Sequence, residues 1–543
     1  MNVSFDKIES LYELLDFSSK KFPNRIALSE YKNSTLNTLT YLELEASIAK
    51  KSNELGHLGF KKGSNIALSG FNSIDWVISF FSIMKIGCTA VPIDPKMNNQ
   101  GIDFILKYTQ AKLFLVDKLK NFESLSMHQN IIKTMDNTTI KIESEKNNEL
   151  ESLVLLKNID NSTNDVENSI AEILFTSGTT GEPKGVLLTH KNLISNIKDI
   201  HNILPSEEYE KSFSILPLHH VYELTCSLLH GLSKGNCIHF CSKIDLPTMV
   251  KEMKEIQPTI WPVVPLILEK IYKNINKKIS QSIFKRILMN VAPKLFGIAL
   301  RNKLGLKSLK LLLSGGAALS PSIEKFFNRI GMPVTQGYGL SEASPLVSVN
   351  ILGQEKIGSV GKVIDSCRIK IINANSLGHG TILVKGPNVF LGYYKNKEAT
   401  DDVLQDGWLN TGDIGYVDEE GFLYITGRDK FVIVNKGGKN IYPEEIEEFF
   451  SSSTHVKDIV VFSKDDENII AIILPDDELI SRDINEIKKI INEECQRINK
   501  KLEAYKRVNK FYITLEEFEK TSTQKIKRSF LKNINLRDYI LTR

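Results

Sequence analysis

Residues 174–186 read LFTSGTTGEPKGV, an apolar strand that runs directly into a loop of hydroxyls and glycines closed by a single lysine. Such a loop is built to hold phosphate. Gly178, Gly181 and Gly185 let the backbone turn and bring N–H groups close to an anion. Thr176, Ser177, Thr179 and Thr180 add hydroxyl donors, and Lys184 adds a charge. An ordinary surface turn rarely gathers three glycines, four hydroxyls and a lysine directly after a buried strand.

The loop departs from the two commonest phosphate-binding templates. A P-loop requires Gly-Lys-Ser/Thr four residues after its first glycine. Here Pro183 stands five positions past Gly178, and Gly185 follows the lysine instead of preceding it. Further on, Gly337-Tyr338-Gly339-Leu340-Ser341-Glu342 begins like a dinucleotide fingerprint, but a glutamate occupies the place of the third glycine. A Walker-type NTPase and a Rossmann dehydrogenase are both disfavoured.

The 543 residues are too many for one core, and 42% of them are apolar, so two or more globular domains are expected. With 69 basic and 65 acidic residues the charge is nearly balanced, and nothing in it demands nucleic acid. Six scattered cysteines read as a reducing compartment, with cytoplasm as the default. Cys237, His239 and Cys241 would share one strand face, with His230 nearby. They lack CxxC spacing, and core packing is the better reading than a metal site. The N-terminus has no apolar signal region, and Trp76–Pro92, broken by Lys85 and Gly87, falls short of a membrane span. The expectation is a protein without a transmembrane segment, with peripheral membrane contact left open.

Along the first 140 residues, helix-like segments (Ile8–Phe22, Ile74–Ile86) alternate with extended ones (Ile66–Leu68, Ala90–Ile93), which predicts a parallel α/β layer. Polar residues 141–169 read as a connector. Leu309–Leu313 reads as a buried strand entering the small-residue run Ser314-Gly315-Gly316-Ala317-Ala318, where something flat can approach the backbone. Arg368–Ile372, Thr381–Val384 and Phe422–Ile425 predict a more antiparallel, β-rich subdomain. A charged turn at Gly427-Arg428-Asp429-Lys430 reads as a boundary before a small C-terminal domain.

Five segments together resemble the AMP-forming adenylating enzymes, the superfamily of acyl-CoA ligases, adenylation domains and firefly-type luciferases. They are LFTSGTTGEPKGV at 174–186, QGYGLSEASP at 336–345, DGWLNTGDIGYVDEEGFLYITGRDK at 406–430, NKGGKNIYPEEIE at 435–447 and STQKIKR at 522–528. The resemblance covers nearly the whole chain in the family's order. It implies an α/β fold: a large N-terminal domain (1–427) of layered α/β subdomains plus a β-rich subdomain. A hinge at 428–430 and a small mobile α+β C-terminal domain (431–543) follow.

The chemistry explains these parts. A carboxylate is a poor electrophile, and converting it to an acyl phosphate anhydride brings an anion onto the anionic α-phosphate of ATP. By the resemblance, Lys184 and the loop N–H groups hold the β- and γ-phosphates, and Glu342 with Thr176 suits the Mg2+ that neutralises them. Tyr338 stacks on adenine beside Gly315, Gly316 and Ala317, in a site bordered by Gln336, Gly337, Gly339 and Ser341. Asp413 accepts from the ribose hydroxyls, and Arg428 also reaches the ribose. Lys525 reaches from the small domain to bridge carboxylate and α-phosphate oxygens, although Gln524 replaces the usual nearby glycine and the customary preceding proline is absent. Lys430 falls at the hinge about which the small domain rotates, so that a face with Gly437 and Gly438 meets the thiol. Local sequence reads those glycines equally well as a hairpin turn.

In amino-acid-activating relatives an aspartate in the segment matching Leu216–Glu223 holds the α-ammonium. Here that segment reads LPLHHVYE, which disfavours an amino acid. This pattern, with SGGAALSP and VKGPNVFLGYYKN, looks most like fatty acyl-CoA ligases of medium to long chain. His220 aligns with a histidine bordering their acyl pocket, and a buried structural histidine is the competing reading. The acceptor expected is CoA, because the segment from hinge to glycines is short. A carrier-protein phosphopantetheine presents the same thiol, and an aryl acid is an alternative substrate.

Overall fold

Ser10 starts the first helix, Leu11–Lys21, by accepting from the Glu13 N–H while the Glu13 carboxylate accepts from the Ser10 N–H. Pro23 follows Phe22, whose backbone leaves the helical region, so the element is shorter at both ends than the expected Ile8–Phe22. The computed structural model describes residues 7–117, 131–135, 166–176, 183–204, 209–434, 440–464, 468–521 and 525–542. The polar stretch 141–169 therefore lies outside them up to residue 165.

The predicted alternation becomes strand Asn65–Ser69, helix Ile74–Lys85 and strand Thr89–Ile93. Trp76, Val77, Phe80 and Phe81 are fully buried, so this apolar helix is covered by the core and not by lipid. Among the described residues no helix is long and apolar enough to cross a membrane.

Two large sheets form the body of the chain. One has seven strands in the order Gly392–Tyr393, Lys184–Thr189, Ile170–Thr176, Thr89–Ile93, Asn65–Ser69, Leu113–Val116 and Ile131–Thr134. It is parallel across its middle, as the alternation predicts. At the phosphate-loop edge it is not: Ile170–Thr176 and Lys184–Thr189 form an antiparallel hairpin, with Thr176 opposite Lys184. The loop joins strand to strand, whereas a P-loop joins strand to helix, and this difference accounts for the failed template.

The second sheet has nine strands, with a parallel centre running from Ile26–Lys32 through Cys237–Phe240, Lys211–Ser214, Ile260–Val263 and Leu311–Ser314 to Val334–Gly339. The β-rich subdomain is a five-stranded antiparallel sheet of Arg368–Ile372, Gly380–Lys385, Trp408–Val417, Leu404–Gln405 and Leu423–Arg428. Beyond it, helices Pro443–Ser451 and Ile484–Asn499 pack on a four-stranded sheet (Val456–Ser463, Ile469–Pro475, Lys510–Ile513, Ile540–Leu541) with a hydrophobic core of its own. Between the two parts, Lys273 donates to the Val456 carbonyl at 2.7 Å, and Lys277 pairs with Glu478.

His239 is fully buried on strand Cys237–Phe240. Its Nδ1 lies 2.9 Å from Ser29 Oγ, and its Nε2 lies 3.2 Å from Glu252. Among the described residues no group of three or more His, Cys, Asp or Glu could hold a metal ion. Cys237 is buried on the same strand as His239.

Candidate active site

Several of the sequence-predicted residues come together among the described residues: Asp413 with Tyr338, Arg428 and Lys525, and Glu342 with Lys184 through Tyr393. Asp413 on strand Trp408–Val417 stands directly opposite Arg428 on strand Leu423–Arg428, a register that pairs their side chains. Arg428 Nε donates to Asp413 Oδ1 at 3.0 Å, and the Tyr338 hydroxyl donates to Asp413 Oδ2 at 2.7 Å. Asp413 is only 4% exposed, and its backbone N–H is held by Thr411 Oγ1. Two donors thus fix both carboxylate oxygens, leaving their remaining lone pairs for a ligand with adjacent hydroxyls. Burial, together with the Asp413 charge, pushes the Tyr338 phenol well above its ordinary range, so it stays a hydrogen donor.

Beside Tyr338, strand Leu311–Ser314 ends in Gly315, Gly316 and Ala317. Gly315 lies over the Tyr222 ring, where an added Cβ would meet the ring at 3.2 Å, and Gly316 has φ +82°. Gly316 and Ala317 are exposed, leaving an open shelf next to Tyr338. Gly339 touches the Pro345 backbone so closely that any side chain would collide. Gln336 is buried, and its amide donates to Glu324 of helix Pro321–Arg329 at 2.8 Å.

At the phosphate-loop edge, the described residues are Thr176 and Lys184. Ser177, Gly178, Thr179, Thr180 and Gly181 lie outside the description, as do Gly437 and Gly438. Lys184 Nζ sits 4.9 Å from the centre of the Tyr393 ring, and the Tyr393 hydroxyl donates to Glu342 Oε1 at 2.8 Å. One tyrosine therefore links the lysine of the first motif to the glutamate of the second. Gly185, expected among the loop glycines, is instead part of strand Lys184–Thr189, where an added Cβ would meet Ile173, Phe175 and Tyr394 at 3.0–3.2 Å. Glu342 and Ser341 lie on the short helix Ser341–Ala343. Glu342 and Thr176 offer carboxylate and hydroxyl oxygens, the donor type Mg2+ takes.

The last group arrives from the far end of the chain. Lys520 stands opposite Ile526 in an antiparallel bridge, and the Thr521 N–H donates to the Lys525 carbonyl at 2.8 Å, which sets Lys525 near Asp413 and Arg428. Its side chain is exposed, with protein groups close enough to desolvate it in part. This desolvation, with the Arg428 charge adding to it and Asp413 opposing, pushes the ammonium down to about 8. Lys525 also acts on His220, whose pKa falls to about 4 mainly through burial, with Asp94 opposing and Lys525 assisting. His219 lies against His220 with ring centres 4.6 Å apart, and 3.8 Å from Asp94. Burial holds it well below the imidazole range, so this is a neutral histidine beside a carboxylate and not an ion pair. Lys430, on the short helix Asp429–Phe431, is exposed.

Tyr393, Tyr222 and Asp94 did not emerge from the sequence as site residues. The segment LGYYKN holding Tyr393 was visible as a pattern, but only the pairing of strand Gly392–Tyr393 with Lys184–Thr189 brings its hydroxyl to Glu342.

A sequence model of the AMP-binding enzyme family matches residues 15–394, and one of the AMP-binding enzyme C-terminal domain matches residues 429–540. The chain therefore belongs to the AMP-binding enzymes, and its two parts are those of an AMP-forming acid–CoA ligase. It is 30% identical over 497 residues to a long-chain-fatty-acid–CoA ligase of Bacillus subtilis, an alignment covering 83% of this chain and 82% of that one. It is 28% identical to a chloroplastic long-chain-fatty-acid–[acyl-carrier-protein] ligase of Arabidopsis thaliana, over 86% of this chain and 76% of the relative. Among solved structures it resembles o-succinylbenzoate-CoA synthetase from Bacillus subtilis in complex with ATP and a magnesium ion. That match has a TM-score of 0.74 and 24% identity, and covers 96% and 99% of the two chains.

Proposed function

We propose that the chain activates a medium- to long-chain fatty acid with ATP and transfers the acyl group to CoA. The observation that carries this reading is the convergence of Lys525 with the Asp413–Arg428 pair on one side and the neutral His219–His220 pair on the other. A carboxylate held between them lies beside the α-phosphate of a nucleotide whose ribose rests on Asp413. Its oxygen attacks the α-phosphorus, the bond to the β-phosphate breaks, and pyrophosphate leaves. The thiol sulfur then attacks the acyl carbon, AMP departs with the bonding pair, and the thiol proton is lost.

Lys525 supplies positive charge where two anions meet, and Lys184 supplies it at the leaving phosphates. Mg2+, held by Glu342 with Thr176, would neutralise phosphate charge. Asp413 and Tyr338 orient the nucleoside, and Tyr393 keeps Glu342 and Lys184 in register. Histidines in LPLHHVYE, where amino-acid-activating relatives carry an aspartate, support an acid without an amino group. The Bacillus relative's fatty substrate supports chain length.

Carrier-protein loading is the second reading, favoured by the Arabidopsis relative, and aryl acids are the third. Thioester formation across saturated fatty, aryl and amino acids, with CoA or a holo carrier protein as acceptor, tests the assignment. The reading expects the highest kcat/KM with a fatty acid and CoA. Preference for an aryl acid, or for the carrier, would replace it.

A further inference from the structure

Between Glu269 and Glu324 the chain carries eleven Lys and Arg residues and no Asp or Glu, in a protein whose total charge is nearly balanced. Within this stretch lie two consecutive helices, Ile283–Val291 and Pro293–Leu304, joined through Ala292. Six large apolar side chains on them, Ile283, Phe284, Ile287, Val291, Leu295 and Ile298, are 55–79% exposed. Positions 283, 284, 287 and 291 fall within about 100° of one another around a helix, so they form one face. Met289, on the opposite side, is the residue that this helix buries. The second helix is seated through Gly297, which lies against the Ile330 carbonyl with no room for a Cβ. Each helix therefore turns a narrow side to the core and an apolar side to water.

Single exposed apolar side chains are ordinary; six on two adjoining helices are not. We propose that this helical pair is a docking surface for a bilayer carrying anionic lipid headgroups. The charge pattern selects this occupant. Lys285, Arg286 and Lys294 are interleaved with the apolar residues and form no ion pair among the described residues. Apolar side chains can enter the boundary between headgroups and acyl chains while the ammonium and guanidinium groups remain at the headgroups, the arrangement of interfacial amphipathic helices. A copy of the same surface would bring like charges together. The surface is independent of which acid the site activates.

Flotation of the full-length protein with vesicles of phosphatidylcholine, with and without phosphatidylglycerol, tests this. The expected result is binding to the anionic vesicles that weakens with added salt. The double variant Phe284→Ser, Ile287→Ser should lose about tenfold or more of that partitioning with its unfolding temperature unchanged, because both side chains are already exposed. The charge variant Lys285→Glu, Arg286→Glu should lose it on anionic vesicles in particular. Failure of the wild type to float, or flotation of both variants like wild type, would overturn the proposal. So would a dimer in light scattering that the serine variant dissociates, since the patch would then be covered by a second copy.

Discussion

The Tyr393 hydroxyl donates to Glu342 at 2.8 Å while its ring lies under Lys184, so one side chain touches a residue of each of two motifs that are some 150 positions apart in the chain. Removing the hydroxyl frees the Glu342 carboxylate without disturbing the strand. Tyr393→Phe is expected to lower pyrophosphate exchange about tenfold at limiting Mg2+, close to the net worth of one hydrogen bond to a charged group. A magnesium titration of the exchange rate checks this, and an unchanged requirement would separate Tyr393 from the metal-holding residues.

Asp413 accepts from both Tyr338 and Arg428, so its loss leaves a buried phenol and a guanidinium facing each other without the anion between them. Asp413→Ala should reduce kcat/KM for ATP on the order of 100-fold, and Tyr338→Phe by less, since the arginine contact survives. Steady-state kinetics at varied ATP would show the ordering, and equal effects would contradict it.

Desolvation by the surrounding protein and the Arg428 charge, with Asp413 opposing, push the Lys525 ammonium down to about 8. Below that pH the ammonium is charged and can bridge anions; as pH rises through about 8 the charge, and with it acyl-adenylate formation, should fall. Lys525→Arg, which stays charged throughout, should be slower at neutral pH but lack that alkaline limb. The pH profile of pyrophosphate exchange distinguishes the two. Persistence of the limb in the arginine variant would assign it to another group.

Glu172, on the strand that leads into the phosphate loop, is wholly buried, and its carboxylate oxygens have no hydrogen-bond partner among the described residues. Burial pushes it up to about 8. A carboxyl whose folded pKa is raised binds a proton that the unfolded chain releases near 4.5, so the stability it confers is complete below that pH. That contribution is lost as pH rises through about 8. Glu172→Gln should remove this loss, stabilising the protein above pH 8 by on the order of 1–3 kcal/mol. Chemical denaturation at about pH 5 and above about pH 8 reads the difference.

The parts of the site that lie within one contiguous motif were legible in the sequence. Asp413 and Arg428 face each other because the two strands of a single hairpin carry them, and the small-residue run after Leu311–Ser314 forms the open shelf its composition implied. The QGYG motif does not show that the Gln336 amide pairs with Glu324, since one position on a strand says nothing about which neighbour covers it. Gly185 likewise belongs to the motif but serves strand packing. Tyr393, Tyr222 and Asp94 reach the site only through the pairing and stacking of sheets, for which local periodicity carries no signal. The two exposed apolar helices were equally invisible, since an amphipathic pattern reads the same whether its apolar face meets a core or remains open.

Exchange of labelled pyrophosphate into ATP tests the central claim most directly, because it reports the reversible first step without any thiol. Over a panel of carboxylic acids, the site should support exchange only when an acid is present, most strongly with a fatty acid, and lose nearly all of it in Lys525→Ala. The same variant should still convert preformed acyl-AMP and CoA to thioester. No exchange with any acid, or equal loss of both half-reactions in Lys525→Ala, would contradict the account.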